Sequence, residues 1–345
     1  MFERLIEKAT SAFRKPDPQP PARSVLPSLT QWPESEAHLA FLAHFLKGRS
    51  ADSYLDNWAS ALDEAPRDVI ARFMGQGLLE PLPLIDNVAG CNTVADLKKL
   101  LKERGLKVAG KKRELAERLV ANNEAEMEAL HRDRAILTCS TRIRALASQY
   151  LAEKAKDYDD TIAAALTALR VRNFALASQT IAAYRGRQLK LQAPNPLAIE
   201  GPPRSTGADI EALKIIFGLE PKILGALSAH DWDAIHTVAG VNHLLDGALS
   251  ADWLPPDFAD HSRLDRETVL RMMRFAFLHH RDLRRLREIG VKQATFVCVN
   301  GGSCEACLKM TAKVFPLENF PALPYENCTC EMGCRCSMRA VMPWL

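Results

Sequence analysis

Thr93–Asn123 reads TVADLKKLLKERGLKVAGKKRELAERLVANN, and it decides the fold of the central part of the chain. Thr93 is placed to cap a helix, because its hydroxyl can accept a bond from a first-turn backbone N–H that has no partner inside the helix. Asp96 follows three residues later, an imperfect capping box that also suits the positive end of the helix dipole. Val94, Leu97, Leu100 and Leu101 then recur at helical spacing. Gly105 is positioned to end that helix in a left-handed conformation. Leu106 would tuck into a small core, and Gly110 allows a sharp re-entry into a second helix lined on its inner face by Leu115 and Leu119. The expectation is a pair of short amphipathic helices joined by a glycine-bounded basic loop.

Those residues resemble the SAP motif, a helix–extended loop–helix DNA-binding module with the signature LKxxLxxxGLxxxGxKxxLxxRL. Here it is filled by Leu97, Lys98, Leu101, Gly105, Leu106, Gly110, Lys112, Leu115, Arg118 and Leu119. The resemblance implies contact with the backbone and minor groove of AT-rich double-stranded DNA, with little base readout. The residues fit that partner on their own terms. Thr93–Asn123 carries nine Lys/Arg against four Asp/Glu. Lys107, Lys111, Lys112 and Arg113 cluster in the loop and at the second helix start, where cations and helix N-terminal amides can converge on phosphates. The expected DNA-contacting set is Thr93, Lys98, Lys107, Gly110, Lys111, Lys112, Arg113 and Arg118. The competing reading is a helical hairpin whose charges only solvate a surface or that docks protein. A module this small binds weakly alone, so a protein partner or self-association should share the task.

At 345 residues the chain exceeds one compact helical core. Aromatics make up 7% and Ala and Leu are abundant, which favours helices. The formal charge of +3 means that nucleic-acid affinity must come from local basic surface. No run of 18 apolar residues suggests a membrane span. The N-terminal MFERLIEKATSAFRKP reads as an amphipathic helix rather than a secretory leader, and the expected location is cytoplasmic, nucleoid-associated in a bacterium.

The fold class read from the sequence is mainly α: a multi-part helical protein with a SAP-like helix-loop-helix and a small C-terminal Cys-rich zinc hairpin. Six segments are expected: an N-terminal helix and Pro-rich linker over 1–27; a helical region over 28–88; the SAP-like hairpin over 89–123; a helical hairpin region over 124–197 with small alanines at its crossing; a helical region over 198–290; and a Cys-rich module over 291–345. The last helix of the fifth segment begins near Asp265 and ends at Glu288. His261–Lys292 holds nine Lys/Arg against four Asp/Glu. It reads either as a second phosphate-contacting face or as a solvated amphipathic helix whose other side is core.

Seven of the nine cysteines fall between Cys298 and Cys336. Cys304 and Cys307 form a C-x2-C pair, and Cys328, Cys330, Cys334 and Cys336 return at a distance that suits tetrahedral zinc. The expected ligands are Cys304 and Cys307 plus two of Cys328, Cys334 and Cys336, with Gly333 making the turn of a second knuckle. Zn2+ in a structural role would supply folding energy that a small core lacks. Seven thiols exceed one four-ligand site, so a second ion would need ligands from elsewhere. A redox dithiol and an iron–sulfur cluster are the alternatives. Cys91 and Cys139 read as small apolar residues in helical surroundings. His279 or His280, and His230, His236 and His243 at spacings near two helical turns, are further ligand candidates.

The pattern from Cys304 to Cys336 also resembles the C-terminal paired-cysteine motif of phage head-morphogenesis, or minor head, proteins, which implies an assembly role. A SAP hairpin is not part of that family's usual pattern.

No P-loop, dinucleotide fingerprint, G-x-S-x-G elbow or H-E-x-x-H motif occurs. The sequence offers no catalytic constellation. The expected function is a DNA-binding recruitment or positioning factor with a structural zinc site, with a nuclease-like enzyme or a phage-derived assembly component as alternatives.

Overall fold

The computed structural model describes residues 32–50, 55–189, 191, 205–246, 250–299 and 302–341. The expected N-terminal amphipathic helix, its Pro-rich linker and most of the second Pro-rich linker lie outside them. The fold is mainly helical, as the composition predicts. The chain divides into two compact units, Met1–Asp157 with Gln188–Glu200, and Tyr158–Arg187 with Gly201–Leu345.

The first unit opens with helices α1 (Glu36–Ala43), α2 (Ala59–Leu62) and α3 (Pro66–Gly75). Pro66 starts α3 in the first turn, where a missing N–H breaks no helical bond. Three short antiparallel strands accompany them: β1 (Arg49–Ser50), β2 (Leu79–Pro81) and β3 (Ile136–Cys139), with β3 in the middle. The register pairs Arg49 with Leu137 and Leu79 with Cys139. These elements close a core around Phe41, Phe45, Val69, Phe73 and Cys139. Periodicity alone predicts continuous helix from Asn123 onward; the structure inserts β3 there, so Cys139 is a buried strand residue.

Between β2 and β3 lie α4 (Leu84–Cys91), α5 (Val94–Glu103), α6 (Lys112–Asn122) and α7 (Glu124–His131). They have a core of their own, with Val88, Leu97, Leu101, Leu115, Leu119 and Met127 fully buried. The two-helix hairpin is thus roofed by a helix on either side in sequence. Each buried leucine is worth roughly 1.5–3 kcal/mol relative to exposure, enough to fix a short helix that is marginal in isolation.

Helix α8 (Thr141–Arg170) contains the division between the units. Its second half packs in the second unit with α9 (Phe174–Arg187), α10 (Thr206–Ile216) and α11 (Ala229–Leu244), burying Ala165, Ala168, Ala177 and Leu213. Small alanines at the helix crossing are what the sequence suggests. Helix α12 (Arg266–Glu288) starts at Asp265, whose carboxylate accepts the Thr268 N–H at 2.6 Å. Its apolar side, including Val269, Met272, Met273 and Phe277, is buried in the main core of this unit. Its basic side is largely engaged: Arg271 donates to the Met332 carbonyl at 2.9 Å, Arg281 pairs with Asp282 and Arg284 with Glu288.

The C-terminal module holds β4 (Gln293–Val297), α13 (Glu305–Leu308), β5 (Val314–Pro316) and β6 (Ser337–Val341), with β4 central and both neighbours antiparallel. Val297 pairs with Ser337, so the next residue on one strand, Cys298, meets the preceding residue on the other, Cys336. No described helix is long and apolar enough to cross a membrane.

Candidate nucleic-acid interface and metal centre

The start of α5 is a complete capping box. The Asp96 N–H donates to the Thr93 hydroxyl oxygen at 3.2 Å, and the Thr93 N–H donates to the Asp96 carboxylate at 2.9 Å. The Thr93 hydroxyl donates to the same carboxylate at 2.7 Å and, with the backbone N–H, holds its pKa below the usual range. At the start of α6 the Glu114 carboxylate accepts the Lys111 N–H at 3.1 Å. Gly110 has φ +138°, and a Cβ there would lie 2.6 Å from that carboxylate. Glycine therefore serves both the backbone conformation and the close approach of the cap.

The loop is fastened by Arg118. Its guanidinium donates to the Lys107 carbonyl and to the Ala109 carbonyl, the latter at 3.3 Å. Arg113 is exposed but pairs with Asp86 at 3.0 Å and Glu117 at 3.2 Å. Lys98, Lys107, Lys111 and Lys112 are exposed and form no ion pair with any described residue, and the same holds for Lys99 and Lys102. The expected contact set thus separates by what each side chain already touches. Four lysines stand open to solvent, Thr93 and Gly110 build the turns, Arg118 fastens the loop, and Arg113 pairs with the half-buried Asp86 and the exposed Glu117.

Residues 92–123 match the SAP domain family model. That match points to nucleic-acid contact for the hairpin. No curated protein and no solved structure matches the chain.

The seven C-terminal cysteines converge from four places in the module. Cys304 caps α13 and Cys307 lies within it; Cys328 and Cys330 lie on the turn after the Pro-rich loop; Cys334 and Cys336 lead into β6; and Cys298 follows β4. Two groups have all their sulfurs within 4.8 Å of one another: Cys304, Cys307 and Cys328; and Cys307, Cys334 and Cys336. The sulfurs of Cys304 and Cys328 stand 3.9 Å apart, and those of Cys336 and Cys298 stand 3.6 Å apart. None of the nine cysteines is in a disulfide. The edge of a zinc–sulfur tetrahedron is about 3.8 Å, given metal–sulfur bonds of roughly 2.3 Å. The thiols therefore have the spacing of ligands, and the clusters can hold a metal ion.

Backbone amides point at the sulfurs. The Thr329 N–H donates to Cys304 at 3.3 Å, the Cys304 N–H to Cys330 at 3.2 Å, and the Tyr325 N–H to Cys334 at 3.3 Å. Such donors stabilise thiolates and tune ligands from outside. Burial alone would push the Cys304 thiol up, but the Thr329 amide and bonds from Cys307 outweigh it and bring it down to about 5. The Cys336 side chain holds Cys334 down at about 6. Burial pushes Cys307 up to about 12. In each group one thiol is thus held low beside neighbours pushed up.

The cluster is seated on α12. The Cys334 N–H donates to the Met272 sulfur at 3.2 Å, and Arg263 donates to the Cys328 carbonyl at 2.7 Å. The histidine candidates go elsewhere. His236 bonds the Leu219 carbonyl and stacks on Trp232, His230 faces Asp257, and His279 lies against Phe320. Cys298 and Cys330 lie outside the ligand set expected from sequence. The signal for Cys298 is the β4–β6 register, which depends on a strand pairing that local patterns do not reveal.

Proposed function

We propose that this protein binds double-stranded DNA through the hairpin at 89–123 and acts as a recruitment or positioning factor, with the Cys-rich module at 291–345 stabilised by zinc. The observation that carries the reading is the set of exposed lysines without ion pairs to described residues, Lys98, Lys107, Lys111 and Lys112, on a hairpin whose sequence matches the SAP domain family model. Lys107, Lys111 and Lys112 lie in the loop and at the start of α6, where first-turn amides lack helical partners and the Glu114 carboxylate takes the Lys111 N–H. A phosphate approaching that corner meets the exposed lysines, beside a helix start capped by Glu114. A donor set made of cysteine sulfurs alone suits zinc in a structural role, which takes four thiolates in a tetrahedron. Thiols that serve as metal ligands need a reducing compartment, and we place the protein in the cytoplasm, near the nucleoid if the host is bacterial.

The test is a mobility-shift titration of duplex DNA at two salt concentrations with the wild-type chain and with Lys111, Lys112 and Arg113 all changed to Glu. The reading expects the triple variant to lose most of its affinity while keeping its helical signal. Equal affinity would remove the hairpin from the function.

A further inference from the structure

We infer that the C-terminal module holds two metal ions, not one, and that the thiolate of Cys307 bridges them. The inference rests on the zinc reading above and adds stoichiometry and architecture to it.

Two tetrahedral ions need eight sulfur positions. Seven thiolates supply eight when one of them serves both ions, and seven is the number the module contains. The sequence alone suggests that a second ion must recruit ligands from elsewhere; sharing removes that need. The structure singles out which sulfur is shared. Cys307 belongs to both groups of mutually close thiols, and no other cysteine does. It is also fully buried, at 0% exposure, as a bridge between two ions should be.

The fourth ligands follow from neighbouring contacts. The first ion takes Cys304, Cys307 and Cys328. We assign Cys330 to its fourth place: its sulfur accepts the Cys304 N–H at 3.2 Å, beside the group of sulfurs within 4.8 Å of one another, and the ion must draw it in. The second ion takes Cys307, Cys334 and Cys336. We assign Cys298 to its fourth place, 3.6 Å from Cys336 through the Val297–Ser337 pairing; it lies outside the group of mutually close sulfurs, so the ion must draw it toward Cys307 and Cys334. Each thiol that ligates gives its proton to solvent, and the net negative charge of the filled cluster is met by what surrounds it. Three backbone amides point at sulfur, and Arg263 and Arg271 bond carbonyls of the cysteine-bearing turns. A single ion on either group would leave two thiols of the other group unligated at the same tight spacing.

The experiment uses the full chain, reduced, stripped of metal and refilled. Native mass spectrometry counts zinc ions per chain, and alkylation of the native protein counts reactive thiols. Cobalt substitution then reads the bridge: two high-spin cobalt ions sharing a thiolate couple magnetically, so the electron-paramagnetic signal that grows with the first equivalent collapses with the second. The inference expects two zincs, all seven C-terminal thiols protected, and that collapse. Cys298→Ser and Cys330→Ser should each weaken one ion by at least the roughly 10–100-fold that loss of an outer-shell partner costs, with the other ion retained. One zinc with about three thiols alkylated overturns the two-ion cluster and leaves the zinc reading standing. Two zincs whose cobalt replacements stay magnetically independent overturn the bridge. No zinc, or an iron–sulfur chromophore in the protein as purified, overturns the zinc reading itself.

Discussion

Gly333 lies so close to Met272 that a Cβ added at Gly333 would stand 2.8 Å from the Met272 sulfur. The same Cβ would lie 2.9 Å from the Thr268 methyl, and the backbone there has φ +71°. The knuckle between Cys330 and Cys334 is therefore pressed onto α12, and the close contact sets where the second group of thiols lies.

Gly333→Ala should cost more than left-handed strain alone, which is about 1–2 kcal/mol. Gly290, with φ +80° and nothing within 4 Å of its Cβ position, is the control that pays strain only. Chemical unfolding of both variants with metal bound should show Gly333→Ala the less stable of the two. Equal losses would mean that the contact with Met272 yields easily.

His279 titrates against the fold. Burial lowers its pKa from 6.5 to about 4, and its Nε2 has no hydrogen-bond partner. As pH falls the unfolded chain takes up this proton first, so the contribution is present above pH 6.5 and lost between pH 6.5 and about 4. The size is roughly 1–3 kcal/mol. His279→Phe should leave stability at pH 7 little changed and flatten the decline over that window. A decline of unchanged slope, followed by thermal unfolding, would assign the pH sensitivity to other groups.

Metal removal should act on one unit. The thiol cluster packs into the core that holds Met272, Met273 and Phe296, whereas the hairpin has its own core around Leu97, Leu101 and Leu115. A strong chelator under reducing conditions should lower the unfolding midpoint of the metal-bearing unit, by an amount on the order of several kcal/mol. Duplex affinity should stay where it was. A parallel loss of DNA binding would place the metal in the interface.

The hairpin was legible because its determinants are local: a cap, a stop glycine, two rows of leucines and a loop of cations all lie within 31 consecutive residues. Helix α12 was legible for the same reason, with Asp265 at one end and Gly290 after the other. The strands were not. Ile136–Cys139 is stabilised by partners at Arg49–Ser50 and Leu79–Pro81, and no local pattern announces a pairing across so long a loop. Cys298 was missed for that reason too, since it reaches the cluster through the β4–β6 register. Arg118 shows a different limit. Its position fits the motif, but only coordinates reveal that its guanidinium is held by the carbonyls of Lys107 and Ala109.

The most direct test of the account is the salt dependence of duplex binding. The logarithm of the association constant should fall with the logarithm of salt concentration, at roughly 0.9 per phosphate neutralised. Changing Lys107, Lys111 and Lys112 to Gln removes three exposed cations while leaving the capping box and the Arg118 clasp in place. The account predicts a slope shallower by roughly 2–3 together with weaker binding at every salt concentration. An unchanged slope, with the three lysines gone and the hairpin still folded, would contradict it.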